Sequence, residues 1–169
     1  MKRKIDLWQY APQICEQTGK GVLLTTKAEG KVNTMTIGWG TLGIQWGKPI
    51  YTVFVRESRY TKELLDKNGE FTINVPVGEL DKSILGVCGT RSGRDMDKIK
   101  ELGLTLEEGN TISVPGIKEL PLTLECKVIY RQDQDANAIA PENIARYYPQ
   151  GDFHTAYYGQ VLDAYIIED

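Results

Sequence analysis

Two arginines, two hydroxyl residues and a tyrosine crowd into Val55–Thr61, VRESRYT, directly after an apolar run and directly before a helix-like one. Helix N-termini leave N–H groups without intrahelical partners and carry a partial positive charge, so such a junction suits an anion. Arg56 and Arg59 add planar forks of donors matched to phosphate oxygens, and Ser58, Tyr60 and Thr61 add hydroxyls. The same residues also make an ordinary solvated turn with a capped helix, and the segment alone leaves both readings open. Thr90–Lys98, TRSGRDMDK, has a similar make-up, with Arg91, Arg94 and Lys98 around Ser92 and Gly93, again ahead of a helix-like run. Two such junctions can converge on one phosphate or line opposite ends of one ligand; a solvated basic loop is the plain alternative.

Asn33–Gly40, NTMTIGWG, offers different chemistry. Asn33, Thr34 and Thr36 present amide and hydroxyl groups, the glycines admit a flat ligand close to the backbone, and Met35 and Trp39 make polarizable apolar walls. Met and Trp more often mark a core than a ligand site. His154 is the one histidine of the chain, which excludes a multi-histidine metal site, and no metal is expected. A lone histidine is usually a structural hydrogen bonder, and no G-x-S-x-G accompanies it to suggest a hydrolytic triad. Cys15, Cys88 and Cys126 lie far apart with no C-x-x-C. Cys88 is read as a small buried residue, since no resolving partner is nearby.

The elements that must position these residues are mostly strands. Gly21–Lys27 reads as a strand, and AEGK after it as a hairpin turn. Val32–Ile44 mixes strand formers with three glycines and reads as one kinked strand opening into a loop. Ile50–Arg56 is a strand of β-branched and aromatic residues. A helix follows over about 60–68, capped by Ser58 or Thr61, with Glu63 and Lys67 four apart and Gly69 at its end. EFTINVP alternates Phe71, Ile73 and Val75 against Thr72 and Asn74, the pattern of a half-buried strand. LDKSILGV predicts a short helix, CGTRSGRD a loop, and DMDKIKELG another helix with Asp95 in its first turn. LPLTLECKVIYRQ alternates Leu122, Leu124, Cys126, Val128 and Tyr130 against Thr123, Glu125, Lys127 and Arg131. Pro141 opens a last helix, and AYYGQVLDAYII a last strand. Six or seven strands with three or four short helices favour a mainly β barrel or sandwich over a doubly wound sheet. Neither G-x-G-x-x-G nor G-x-x-x-x-G-K-[ST] is present.

With 169 residues, 41% hydrophobic, the chain reads as a single domain, 1–169, with a real core. A net charge of −3 and no basic tract argue against a nucleic-acid binder. No run approaches the ~20 apolar residues of a membrane span, and MKRK is not followed by a signal-peptide h-region. A cytoplasmic protein is expected.

Taken in order, NTMTIGWG, KPIYTVFVRESRYT, GEFTINVP, SGRDMDK and the histidine before YYGQV resemble the flavin reductase-like proteins with the FMN-binding split β-barrel fold, and most closely flavoredoxin-type members. The resemblance spans Gly21–Val161; each motif is loose and the ordered set fairly specific. It implies homodimers with FMN at the subunit interface. NTMT, Asn33 to Thr36, would then contact the isoalloxazine with Trp39 near it, and Arg56, Ser58, Arg59, Tyr60 and Thr61 would hold the phosphate. Ser92 and Lys98 carry over less firmly, and His154 matches a position near flavin or substrate. Two functions follow from this: an oxidoreductase passing electrons from NAD(P)H through FMN to a flavin, small-molecule or protein acceptor, or an FMN electron carrier fed by a protein; the rival from another class is a non-redox ligand-binding or regulatory barrel. A cofactor-borne chemistry needs no acid–base pair in the protein.

Overall fold

The computed structural model describes residues 1–169. Its elements are β1 (Lys2–Lys4), α1 (Leu7–Lys20), β2 (Val22–Ala28), β3 (Lys31–Ile37), β4 (Gly40–Gln45), β5 (Lys48–Arg56), α2 (Tyr60–Lys67), β6 (Glu70–Val75), α3 (Lys82–Thr90), α4 (Lys98–Glu101), β7 (Leu106–Glu107), β8 (Gly116–Ile117), β9 (Leu122–Asp133), α5 (Pro141–Tyr147) and β10 (His154–Ile167). Seven strands pair antiparallel in the order β3-β2-β6-β9-β10-β5-β4, and β1 adds to the far end of β10. The two ends of that row, β3 and β4, are joined by Gly38 and Trp39 alone. Laid flat, six spacings of about 4.8 Å would hold them about 29 Å apart, whereas three Cα steps reach about 11 Å at most. The sheet must roll up, and the fold is a mainly β barrel with short helices, as expected.

The stretch Val32–Ile44 is therefore not one kinked strand but two, with the barrel's corner at Gly38–Trp39. The AEGK turn is as expected: Glu29 and Gly30 both adopt positive φ, the two-residue geometry that suits a twisted hairpin. Helix α1 was not foreseen. Asp6 caps it by accepting from the Trp8 N–H at 2.9 Å, and Thr18 meets the Tyr51 hydroxyl at 2.7 Å inside the barrel. Helix α3 runs through Cys88 to Thr90, shortening the loop expected there, and α4 is a single turn capped by Asp97, so Asp95 precedes it.

β6, and β9 from Leu122 to Cys126, are buried on both faces rather than one. Phe71, Ile73, Val75, Leu122, Leu124 and Cys126 join the barrel core. On the opposite side Leu23, Ile84, Cys88, Leu104, Ile117 and Leu120 form a second, smaller core under α3. The fully buried polar side-chain atoms turned that way are paired, apart from Asn74 Nδ2. Glu125 accepts from the N–H groups of Asn110 and Thr111 at 2.6 and 2.8 Å, from the Thr111 hydroxyl at 2.6 Å and from Tyr165 at 2.8 Å. Burial alone would raise its pKa, but these donors hold it below the usual range. No helix is long and apolar enough to cross a membrane.

Candidate functional site

At the β5–α2 junction the expected caps are engaged elsewhere. Arg59 takes the N-cap position with no side-chain capping bond. Ser58 instead gives its N–H and its hydroxyl to the two carboxylate oxygens of Asp152, at 3.0 and 2.6 Å. Arg56 donates to the main-chain oxygens of Asp152 and Tyr147, at 2.9 and 3.1 Å, and lies 5.1 Å from the Tyr148 ring centre. The Glu57 N–H bonds the Phe153 oxygen at 3.1 Å. The segment 147–153 is thus stitched to the junction. Burial would raise the Asp152 carboxyl, but Ser58, Arg56 and Arg59 together hold it below its ordinary value. Arg59, by contrast, takes part in no ion pair of the chain. Glu63 and Lys67 do not pair with each other: Glu63 meets Arg94 at 2.5 Å and Lys67 meets Glu29 at 3.1 Å.

The loop after α3 closes on the same place. Gly93 lies so near Asn33 and Tyr60 that a Cβ there would fall 2.2 Å from Asn33 Oδ1 and 2.7 Å from Tyr60 Cδ1. Only glycine fits that approach. Asn33 is held in turn by its Nδ2, which donates to Thr61 Oγ1 at 3.0 Å. Arg94 reaches across to the Ser58 oxygen at 3.0 Å. Lys98 is buried, with Nζ donating to the Thr34 and Cys88 oxygens at 2.9 and 3.0 Å. Its burial, with Arg59 nearby, lowers its pKa.

Three adjoining clefts result. A small polar one, about 120 Å³, lies between the junction and the loop, lined by Asn33, Ser58, Arg59, Tyr60, Thr61, Arg91, Ser92 and Lys98 among others. A second, about 190 Å³, shares Met35 and Arg59 with it and continues past Thr36, Gly38, Trp39, Phe54, Arg56 and His154. A third, about 360 Å³, lies beyond Gly93 between Lys31, Tyr60 and Asp97. β3 is the free end of the strand row, so alternate main-chain groups on it have no neighbour strand. The Thr34 oxygen, taken by Lys98, is one of these, and the N–H groups of Thr34 and Thr36 share its direction.

At the far end Trp39 is half exposed. It packs edge-on against Tyr147, centroids 5.0 Å apart, and lies 5.1 Å from the His154 ring. His154 is the first residue of β10, opposite Arg56. It is buried, and burial together with Arg56 pushes its pKa down to about 4.

Of the residues singled out in the sequence, Asn33, Met35, Ser58, Arg59, Tyr60, Thr61, Ser92 and Lys98 line the smaller cleft, and Met35, Thr36, Trp39, Arg56 and His154 the longer one. The Thr34 side chain is not brought to either; it is buried against Thr25, and only its main chain faces the site. The Thr36 hydroxyl is tied to the Leu85 oxygen at 2.6 Å. Asp152 and Phe54 were not singled out. Nothing local marks Asp152: it meets Ser58 from 94 residues away. Phe54 had a signal, its place two residues before Arg56 on the same strand face.

A family model described as "Flavin reductase like domain" matches residues 18–169. An uncharacterized protein of Archaeoglobus fulgidus is 38% identical over 99 residues, 59% of this chain and 55% of its own length. The chain spans less than two thirds of the length of the curated relatives it matches. Among solved structures, the flavoredoxin from Methanosarcina acetivorans superposes with TM-score 0.66 at 28% identity, covering 88% of this chain and 68% of that one. An FMN-binding domain of a flavin reductases-like enzyme from Shewanella baltica OS155 gives TM-score 0.69 at 21% identity, covering 98% and 77%.

Proposed function

The chain belongs to the flavin reductase-like family, and on that premise we propose that it is an FMN-binding redox protein whose adjoining clefts take the phosphate and the ring of one flavin. The observation that carries this reading is Arg59: a guanidinium without an ion-pair partner, at a helix start, shared by both clefts. The donor set fits the group. Arg59, Arg91, Ser92 and Lys98 would hold the phosphate, and Gly93 keeps the loop close enough to close on it. Met35 and Trp39 would flank the ring, and the N–H groups on the free edge of β3 would meet its polar rim. The flavin supplies the hydride and electron chemistry when bound; the chain supplies orientation, polarity and access. Arg56 and Ser58 act at one remove, holding the 147–153 segment in place.

On this reading NAD(P)H reduces the flavin and an acceptor, whether a flavin, a small molecule or a protein, reoxidises it. The flavoredoxin likeness at 28% identity favours a second reading, a flavin carrier that takes electrons from a redox protein. A homodimer is part of the proposal, through the aromatic row of exposed Trp46 and Tyr130 and partly exposed Tyr158, with centroids 5.9 and 5.1 Å apart. Sedimentation at micromolar protein tests it, and a monomer that stays monomeric with flavin added refutes it. Three free cysteines suit a reducing, cytoplasmic setting.

The absorption spectrum of the purified protein during titration with FMN tests the core claim. Flavin bands that shift and saturate near one equivalent per chain are expected. No perturbation of added FMN would refute cofactor binding. Anaerobic addition of NADH, then NADPH, separates the two readings: bleaching of bound flavin within the time of turnover supports direct hydride donation, and bleaching only by a reduced redox protein supports the carrier.

A further inference from the structure

His154 is more constrained than a cleft-lining histidine needs to be. Its main-chain N–H donates to Gln134 Oε1 at 2.9 Å, fixing the start of β10. Its Nδ1 lies 2.7 Å from the Tyr148 hydroxyl, and Trp39 covers the ring. Tyr148 is itself held between Phe153, with ring centres 4.9 Å apart, and the Arg56 guanidinium.

The direction of the Tyr148–His154 bond can be worked out. A neutral imidazole carries one proton on one nitrogen. If Nδ1 held it and donated to the phenol oxygen, the phenol proton of the buried Tyr148 would have no acceptor, since Nδ1 is its one hydrogen-bond partner. A buried donor left unmade costs about 1–3 kcal/mol. With the phenol donating to Nδ1, both groups are satisfied and the imidazole proton sits on Nε2. That atom has no partner in the chain. Yet Asn74 Nδ2 is the one side-chain polar atom that is both fully buried and unpaired, so Nε2 opens on the cleft that His154 lines. The charges around the ring favour the neutral form. Arg56 faces it from β5 and Arg59 from the junction, against the single carboxylate of Asp152, while the Tyr148 phenol and Trp39 are uncharged neighbours.

We propose that His154 is a fixed neutral hydrogen-bond donor, its Nε2–H aimed into the cleft by Tyr148 at Nδ1, and that it donates to an electron-rich carbonyl oxygen of the flavin ring. The inference rests on the flavin reading above and assigns its ring end. A donor aimed at an atom that gains negative charge on reduction stabilises the reduced state more than the oxidised one. Tyr148 is the positioning residue, since it sets which nitrogen holds the proton.

The chain has a single histidine, so its imidazole nitrogens can be read by ¹⁵N NMR without assignment. In uniformly labelled protein the expected spectrum shows one tautomer, with a pyrrole-type Nε2 and a pyridine-type Nδ1, unprotonated across about pH 5 to 8. A protonated Nδ1, a mixture, or titration near the ordinary 6.5 overturns the proposal. Tyr148→Phe keeps the ring and removes the phenol proton; it should give mixed tautomers and move protonation upward by at least one pH unit. An unchanged tautomer in that variant refutes the role of Tyr148. Added FMN should shift the Nε2 proton and slow its exchange with water. Flavin absorbance reports uptake separately. Uptake with the Nε2 proton unmoved overturns the donor assignment alone. No uptake overturns the flavin reading and the donor's partner with it, leaving the tautomer to be judged on the unliganded spectrum.

Discussion

Arg56 and Arg59 stand three residues apart in the same segment and have opposite employment. Arg56 donates to two main-chain oxygens and lies by an aromatic ring, while Arg59 belongs to no ion pair and lines both clefts. The same division runs through the whole site. At the β5–β10 end, Arg56 and Ser58 have protein partners and hold a segment in shape. At the α3–α4 end, Arg59 and Arg91 converge on a cleft beside Ser92, in no ion pair with the chain's own carboxylates. A cluster of cations is therefore not one functional unit. Those whose hydrogen bonds are already made hold the framework, and those left free are, on the proposed reading, where a phosphate would be held.

The contrast can be broken most sharply at Gly93. Gly93→Val would force Asn33 and Tyr60 apart, and overpacking of this kind costs about 1–3 kcal/mol. FMN affinity should fall by about 100-fold, read by fluorescence titration, with a lower urea midpoint; wild-type affinity would mean that the loop does not close on the phosphate. Arg56→Ala should lower the stability of the flavin-free protein by about 2–3 kcal/mol, because two charge-assisted bonds to carbonyls are lost. If urea unfolding is unmoved and only flavin affinity drops, Arg56 belongs with Arg59 on the binding side.

Acid offers a test of the β10 end. His154 has a folded-state pKa of about 4 against an ordinary 6.5, so the unfolded chain takes the proton first. Its neutral form is without penalty above 6.5, and stability is lost as the pH falls from there toward 4. The loss should reach about 2 kcal/mol near pH 5. His154→Gln, which cannot titrate, should show a smaller difference between urea midpoints at neutral and acid pH; equal slopes in the two proteins would count against a buried neutral imidazole. The smallest effect is expected at Arg59. Arg59→Ala should weaken FMN about 10-fold, an exposed charge-assisted contact, and leave the flavin-free urea midpoint unchanged.

Much of the frame was legible where periodicity is local. The strand Lys48–Arg56, the helix at Tyr60–Lys67 and the strand Glu70–Val75 carry their signals within a few residues. The first helix was hidden because Pro12 interrupts its pattern and only Ile14 and Thr18 of it are buried. The second face of β6 and β9 looked solvent-facing because its residues are Thr, Asn and Glu; their exposure is replaced by hydrogen bonds such as those to Glu125, which no alternation rule reports. VRESRYT read as a place for an anion, and a carboxylate does sit against it. That this carboxylate is the chain's own Asp152 was not legible, since the pairing depends on how the barrel closes.

That closure has a consequence for how the protein is made. β10 lies between β9 and β5 in the strand row, and it also takes β1. Until residues 154–167 pair, β2, β3, β6 and β9 on one side and β4 and β5 on the other each keep an unpaired edge where β10 goes. Unpaired strand edges invite association with other chains. Before β10 pairs, each of the two half-sheets therefore offers an edge to other chains as well as to β10.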